Sequence, residues 1–240
     1  MKAMIFAAGL GTRLRPLTDT MPKALVPIDG KPLLHHLLSK LQKAGCSHAV
    51  INVHHHAEQI VEYVKQHEYG MRIEISDESD MLLDTGGGLR KAGTLLEGDE
   101  PILVHNVDIL SNLDFDLLLQ AHKPDNLATV VVSHRDTSRY LLFDNELRMH
   151  GWTNIKSGEV KPQGIDPTPL QQVAFAGIHV VSPRIFEAMR HMPEKFSIID
   201  FYLQAMQSHH IAGYIPHNFT MLDVGKIDSL APAEEFVKNL

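Results

Sequence analysis

Apolar positions along the chain come in two alternating kinds. Continuous runs at residues 4–8, 49–53, 71–76 and 102–106 have the length of buried strands, and between and after them the segments 33–44, 57–66, 89–96 and 115–121 carry apolar residues at helical spacing. Strand followed by helix, repeated, predicts βαβ units and an α/β fold with a mainly parallel, mixed central sheet flanked by helices. Beyond residue 128 the pattern changes. Strand-like runs at 128–133, 140–143 and 147–153, the last two flanking the turn-prone Asp144 and Asn145, predict a hairpin, and the Gly/Pro/Gln-rich stretch 157–172 predicts a long loop. Residues 174–181 resume a strand pattern, 184–190 and 198–207 read as helical, 219–224 as a late strand and 227–239 as a final helix. No internal repeat or low-complexity tract divides the chain, so one domain over residues 1–240 is expected, with a distinct subregion at about 134–181.

In such sheets ligands sit beyond the carboxyl ends of the strands, where the loops carrying Gly9, Gly86 and Asp108 emerge. Gly9 and Gly11 let the backbone turn tightly after the first strand and present N–H groups to an anion. Charge sharpens this reading. Residues 1–31 hold Lys2, Arg13, Arg15, Lys23 and Lys31 against Asp19 and Asp29, a local +3, while the remaining 209 residues carry −10 of the formal −7. A cationic island in an acidic chain points to an anionic small ligand. A dinucleotide fingerprint would need glycine in place of Leu14, and a Walker A loop would need Gly-Lys-Ser/Thr after four residues, so both are excluded.

The pattern G-x-G-T-R-x-x-P-x-T from Gly9, followed by P-K-x-L-x-P from Pro22, resembles the N-terminal motif of the sugar-1-phosphate nucleotidylyltransferases. The similarity continues through Asp84, Thr85 and the glycines 86–88, through Asn106 and Asp108, through Phe175 to Gly177, and through Leu222 to Gly225. Length and the triple glycine are most similar to the N-acetylmuramate 1-phosphate uridylyltransferase branch. The resemblance implies a Rossmann-like nucleotide-diphospho-sugar transferase fold and transfer of a nucleoside monophosphate from a triphosphate, UTP being favoured, to a sugar 1-phosphate. It implies that Gly9, Leu10, Gly11 and Thr12 cradle the triphosphate, that Arg13 and Lys23 neutralise the reacting phosphates, and that Gly86 and Gly87 let the backbone approach base and ribose ahead of a helix starting at Leu89. Asn106, Arg139 and Gly177 fall on the sugar side. Asp108 and Asp223, each in or just after an apolar run, would together hold Mg²⁺, an ion that commonly takes one or two carboxylates plus substrate phosphates.

Three positions depart from the family pattern and bear on the acceptor. Val107 replaces the glycine of Asn-Gly-Asp, Trp152, Thr153 and Asn154 stand where Glu-Lys-Pro is usual, and Arg139, Tyr140 and Leu141 replace Gly-Tyr-Gly. Arg139 thereby brings a cation to the sugar side. Guanylyl, thymidylyl or cytidylyl transfer are alternatives, as is a catalytically silent nucleotide-binding regulatory subunit; Arg13, Lys23, Asp108 and Asp223 favour an enzyme.

Composition narrows the surroundings. The acidic balance and a pI near 6.1 argue against nucleic acid as partner. Arg13 and Arg15 cut short the apolar run after Lys2, and no stretch reaches the ~18–20 apolar residues of a membrane span, so a cytoplasmic protein is expected, as a monomer or small homo-oligomer. Cys46 is the only cysteine and reads as a buried reduced thiol. The 16 histidines include the runs at 35–36, 54–56 and 209–210, but none has the spacing of a metal-binding motif.

Overall fold

The computed structural model describes all 240 residues. In chain order the elements are β1 (Lys2–Phe6), β2 (Pro27–Ile28), β3 (Lys31–Pro32), α1 (Leu33–Lys43), β4 (His48–Val53), α2 (Ala57–Lys65), β5 (Arg72–Asp77) and α3 (Asp84–Ala92). There follow β6 (Ile102–Asn106), β7 (Ile109–Ser111), α4 (Phe115–Ala121), β8 (Asn126–Ser133), β9 (Arg139–Phe143), β10 (Met149–Asn154), β11 (Glu159–Lys161) and β12 (Gln171–Val181). The chain closes with α5 (Ile185–Ala188), α6 (Ile198–Ala205), β13 (His210–Tyr214), β14 (Met221–Asp223) and α7 (Leu230–Lys238).

The central sheet is mixed, in the order β11-β10-β9-β12-β6-β1-β4-β5, with β8 and then β13 branching from β12. Strands β6, β1, β4 and β5 are mutually parallel, so their carboxyl ends share one edge. Alternate side chains enter opposite layers, as the two-residue period of a strand requires. Ala3, Ile5, Ala49, Ile51 and Leu103 pack on one face with Leu34, Leu37, Leu38 and Leu41 of α1. Met4, Val50, Ile102 and Val104 pack on the other with Leu89 and Ala92 of α3 and Phe201 and Tyr202 of α6.

A third, smaller cluster matters more for the site. Leu14, Val26, Ile28 and Leu33 from the glycine-turn segment meet Leu110 of β7, Val224 and Ala233 of α7 in a patch of seven buried residues. This apolar clamp ties the cationic segment to the two-stranded ribbon of β7 and β14.

The strand β12 joins the two halves of the molecule. Its first residues pair with β9, its later ones with β6 and β8, and the register with β8 shifts between Phe175 and His179. Gly177 takes a φ of 74° at that irregularity, with the Asn106 side chain where a Cβ would be, so a larger residue would both strain the backbone and displace Asn106.

Four sequence expectations are corrected. The helix expected from residue 89 begins at Asp84. The expected late strand at 219–224 is shorter, Met221–Asp223, and pairs with β7 outside the main sheet. The long loop at 157–172 contains β11, which pairs antiparallel with β10. Finally, β13 had no strand signal in the sequence; it pairs parallel to β8, in an environment that only the tertiary fold supplies.

Candidate active site

A cleft of about 400 Å³ opens at the carboxyl edge of the parallel strands. Each of the four contributes to its wall: Phe6 to Gly9 from the end of β1, Asn52 from β4, Glu78 just after β5, and Asn106 to Asp108 from the end of β6. Lys23, Asp84, Thr85 and Lys195 complete the polar lining.

The turn after β1 has the geometry of an anion cradle. Gly11 adopts a φ of 62°, Thr18 Oγ1 donates to its carbonyl at 2.8 Å, and a Cβ there would stand 2.8 Å from Thr18 Cγ2. Gly9 differs: a Cβ added to it would meet no protein atom within 4 Å. The backbone amides of Gly9, Leu10 and Gly11 donate to no backbone carbonyl, and Leu10 is 44% exposed. Thr12 and Arg13 then start a short 3-10 turn closed by Leu14 N–H donating to the Gly11 carbonyl at 2.8 Å.

Two aspartates meet where β7 and β14 pair. Asp223 lies opposite Ile109, and Val224 N–H donates to the Asp108 carbonyl at 2.8 Å. Lys23 Nζ donates to Asp108 Oδ2 in a largely buried ion pair. The Arg13 guanidinium and the Asp223 carboxylate both flank Gly225, whose Cβ would stand 2.8 Å from Arg13 Nη2 and 2.6 Å from Asp223 Oδ1. Asp223 is exposed along one edge, yet the protein around its carboxyl desolvates it, and together with the neighbouring Asp108 charge this raises its pKa above the usual carboxylate range. Lys23, Arg13 and Arg135 pull the other way and only partly offset it. Two carboxylates that repel one another across a cleft edge suit a divalent cation, and two ligands leave coordination positions for phosphate and water.

Beside this cleft lies a second, of about 610 Å³, built from the 134–181 region. Arg135, Arg139, Tyr140, Trp152, Asn154 and Lys161 face it, and α6 closes it through Ser197, Ile199 and Asp200. Asp84 lines both clefts and so marks their junction.

The structure therefore gathers Gly9, Lys23, Asn106 and Asp108 around the first cleft, with Arg13 and Asp223 beside Asp108, Gly177 behind Asn106, and Arg139 in the second cleft. The glycines at 86 and 87 do not join them. The expected backbone loop is the first turn of α3, and both amides already donate to the Phe196 carbonyl, at 2.9 and 3.2 Å. A Cβ on Gly86 would strike the Phe196 ring, one on Gly87 would stand 2.6 Å from the Glu194 carbonyl, and one on Gly88 would stand 2.6 Å from Glu78 Oε1. Close helix packing is the physical reason for the triple glycine.

Sequence reasoning missed Asn52, Glu78, Arg135 and Lys195. Asn52 and Glu78 form a buried bridge: Ala7 N–H donates to Asn52 Oδ1 at 2.8 Å, Asn52 Nδ2 to Glu78 Oε1 at 2.7 Å, and Leu83 N–H to Glu78 Oε2 at 3.0 Å. It links the glycine turn to the start of α3. The available signal was a polar residue at the end of an otherwise apolar strand. In the first histidine run both rings have protein partners: His35 Nδ1 lies 3.0 Å from the Tyr69 hydroxyl and His36 Nε2 2.8 Å from the Ile28 carbonyl. The buried Cys46 thiol donates to the His48 carbonyl.

An amide-lined turn, two cations and paired aspartates beside the carboxyl edge of the parallel strands suit an anionic ligand on an α/β scaffold. The chain belongs to the nucleotidyl transferase family, whose family model matches residues 2–239. It is 31% identical over 230 residues to the N-acetylmuramate alpha-1-phosphate uridylyltransferase of Caulobacter vibrioides, spanning 91% of this chain and 90% of that one. It is 32% identical over 201 residues to the mannose-1-phosphate guanyltransferase of Yarrowia lipolytica, spanning 80% of this chain and 52% of that one. Its fold matches HddC from Yersinia pseudotuberculosis complexed with GMP-PN with a TM-score of 0.79 over 98% of both chains, at 21% identity. No helix is long and apolar enough to cross a membrane.

Proposed function

We propose that the protein is a sugar-1-phosphate nucleotidylyltransferase that takes UTP and, as first acceptor, N-acetylmuramate 1-phosphate. The observation that carries this reading is the pairing of Lys23 with Asp108 in the wall of the first cleft, with Arg13 and Asp223 close together across Gly225, while a second cleft that shares Asp84 with the first offers room for a sugar. A phosphate oxygen of the acceptor attacks the α-phosphorus, the bond to the β-phosphate breaks, and pyrophosphate leaves. The nucleophile is already an anion, so no general base is needed and the work is positioning and charge neutralisation.

Each residue has a part in that work. The free amides of Gly9, Leu10 and Gly11 and the open space at Gly9 suit a triphosphate. Arg13 and Lys23 neutralise the charge that develops on the leaving phosphates. Asp108 and Asp223 would hold Mg²⁺, which supplies further charge neutralisation between the two anionic substrates. Arg139, whose guanidinium has no protein partner, would pair with the lactyl carboxylate that distinguishes the muramate from N-acetylglucosamine.

Pyrophosphate release measured with all four triphosphates against a panel of sugar 1-phosphates tests the reading. UTP with the muramate should win, and Arg139→Ala should weaken discrimination against N-acetylglucosamine 1-phosphate by about 1–3 kcal/mol. Equal use of neutral hexose phosphates by the wild type would remove the muramate assignment. A second reading, guanylyl transfer to mannose 1-phosphate, is favoured by the relative of that activity, and the same panel decides it.

A further inference from the structure

Three cations face the second cleft, and their surroundings separate them. Lys161 is paired with Glu159 at 3.3 Å and lies 5.3 Å from the centre of the Trp152 ring. Arg139 opens β9 with its guanidinium unpaired. Arg135, in the connection from β8 to β9, is the one fastened to the backbone of β12: its Nη2 donates to the Phe175 carbonyl at 3.0 Å. Phe175 precedes Gly177 by two residues in β12, and Gly177 is packed against the Asn106 side chain of the first cleft.

An acceptor entering from the second cleft brings its own phosphate charge toward two carboxylates. On the nucleotide side Lys23 is paired with Asp108 and Arg13 stands beside Asp223 across Gly225, both turned to the triphosphate in the reading above. A guanidinium has five N–H donors in a fixed fork, so Arg135 can keep its bond to the Phe175 carbonyl and still present a bidentate face to a phosphate. We propose that Arg135 is a catalytic residue that binds the 1-phosphate of the acceptor and holds it against the aspartate pair in line with the nucleotide. Always protonated, it takes no proton in the step and contributes only charge and orientation. The division of labour follows: Arg135 takes the phosphate common to all acceptors and Arg139 the substituent that distinguishes them. This inference rests on the sugar 1-phosphate reading above.

Initial rates for wild type, Arg135→Ala and Arg135→Lys, with the acceptor that the wild type uses best and with UTP varied in turn, test it. The alanine variant should lose at least ~30-fold in kcat/KM for the acceptor, the KM for UTP should stay within about twofold, and added guanidinium should restore part of the loss. Arg135→Lys should fall between, having charge without the fork. Calorimetric binding of UTP without acceptor should be unchanged in the alanine variant. If Arg135→Ala keeps wild-type acceptor kinetics, or loses affinity for both substrates and melting temperature together with no guanidinium rescue, the arginine only braces β12 and the inference fails while the nucleotidylyltransferase reading stands. A wild type that turns over no sugar 1-phosphate overturns both.

Discussion

Asp223 shows how single residues make the site. Its carboxyl is desolvated and stands near Asp108, so its pKa lies above the usual carboxylate value of about 3.9. Removing the neighbouring charge should lower it. In a carbon-13 NMR titration of the metal-free protein, Asp223 should titrate at a lower pH in Asp108→Asn than in wild type; an unchanged midpoint would mean that the two carboxylates do not sense each other. Lys23 and Arg13 carry the opposite sign. Their replacement by alanine should each cost roughly 2–4 kcal/mol in kcat/KM with little change in melting temperature, the range for losing one charge-stabilising donor. Wild-type rates in Lys23→Ala would reduce that lysine to an ion-pair partner of Asp108. The four residues were legible in the sequence because each stood within a motif or beside an apolar run. Asn52, Glu78 and Arg135 were not: Asn52 is a single polar position inside an apolar strand, and Glu78 and Arg135 stand among other polar residues that look the same whether they cap a turn or line a cleft.

At the scale of elements, α3 reverses an ordinary rule. Glycine inside a helix usually costs about 1 kcal/mol relative to alanine, and the family resemblance implied a glycine loop ahead of a helix beginning at residue 89. The structure starts the helix at Asp84, and its glycines are there because Phe196, the Glu194 carbonyl and the Glu78–Asn52 bridge come too close for any Cβ. Gly88→Ala should therefore destabilise the protein by about 1–3 kcal/mol in urea unfolding, the usual cost of overpacking, where propensity alone predicts a gain. A stabilised variant would show that the bridge yields easily. The long strands β1, β4, β6 and β12 were legible from continuous apolar runs. The short strands β7 and β13 were not, because their pairing is set by neighbours distant in the chain: Asp223 opposite Ile109, and Ile211 opposite Ala128. Strand β11 pairs locally with β10, but its three residues carry only Val160 as an apolar position and so no strand pattern.

For the molecule as a whole, the parallel half of the sheet places the first cleft and the antiparallel ribbon of β9, β10 and β11 places the second, with β12 running through both. Buried histidines couple this core to pH. Burial lowers His105 and His179 to about 3 and His122 to about 4, whereas in the unfolded chain each titrates near 6.5. The unfolded state then binds more protons below that value, so the stabilisation is complete above about pH 6.5 and is lost as the pH falls toward the folded values. Urea midpoints should drop between about pH 7 and pH 5, by on the order of 1–2 kcal/mol for each histidine, and a flat profile would mean that these rings take up protons without unfolding.

The chemistry itself offers the most direct test of the account. Phosphorus-31 NMR of the wild type with Mg²⁺, UTP and N-acetylmuramate 1-phosphate should show the coupled diphosphate pair of a nucleotide sugar growing in step with pyrophosphate, slowed at least ~10²-fold in folded Asp108→Asn and Asp223→Asn. Orthophosphate without a nucleotide sugar, or no reaction across every triphosphate and sugar 1-phosphate of the panel, would contradict it.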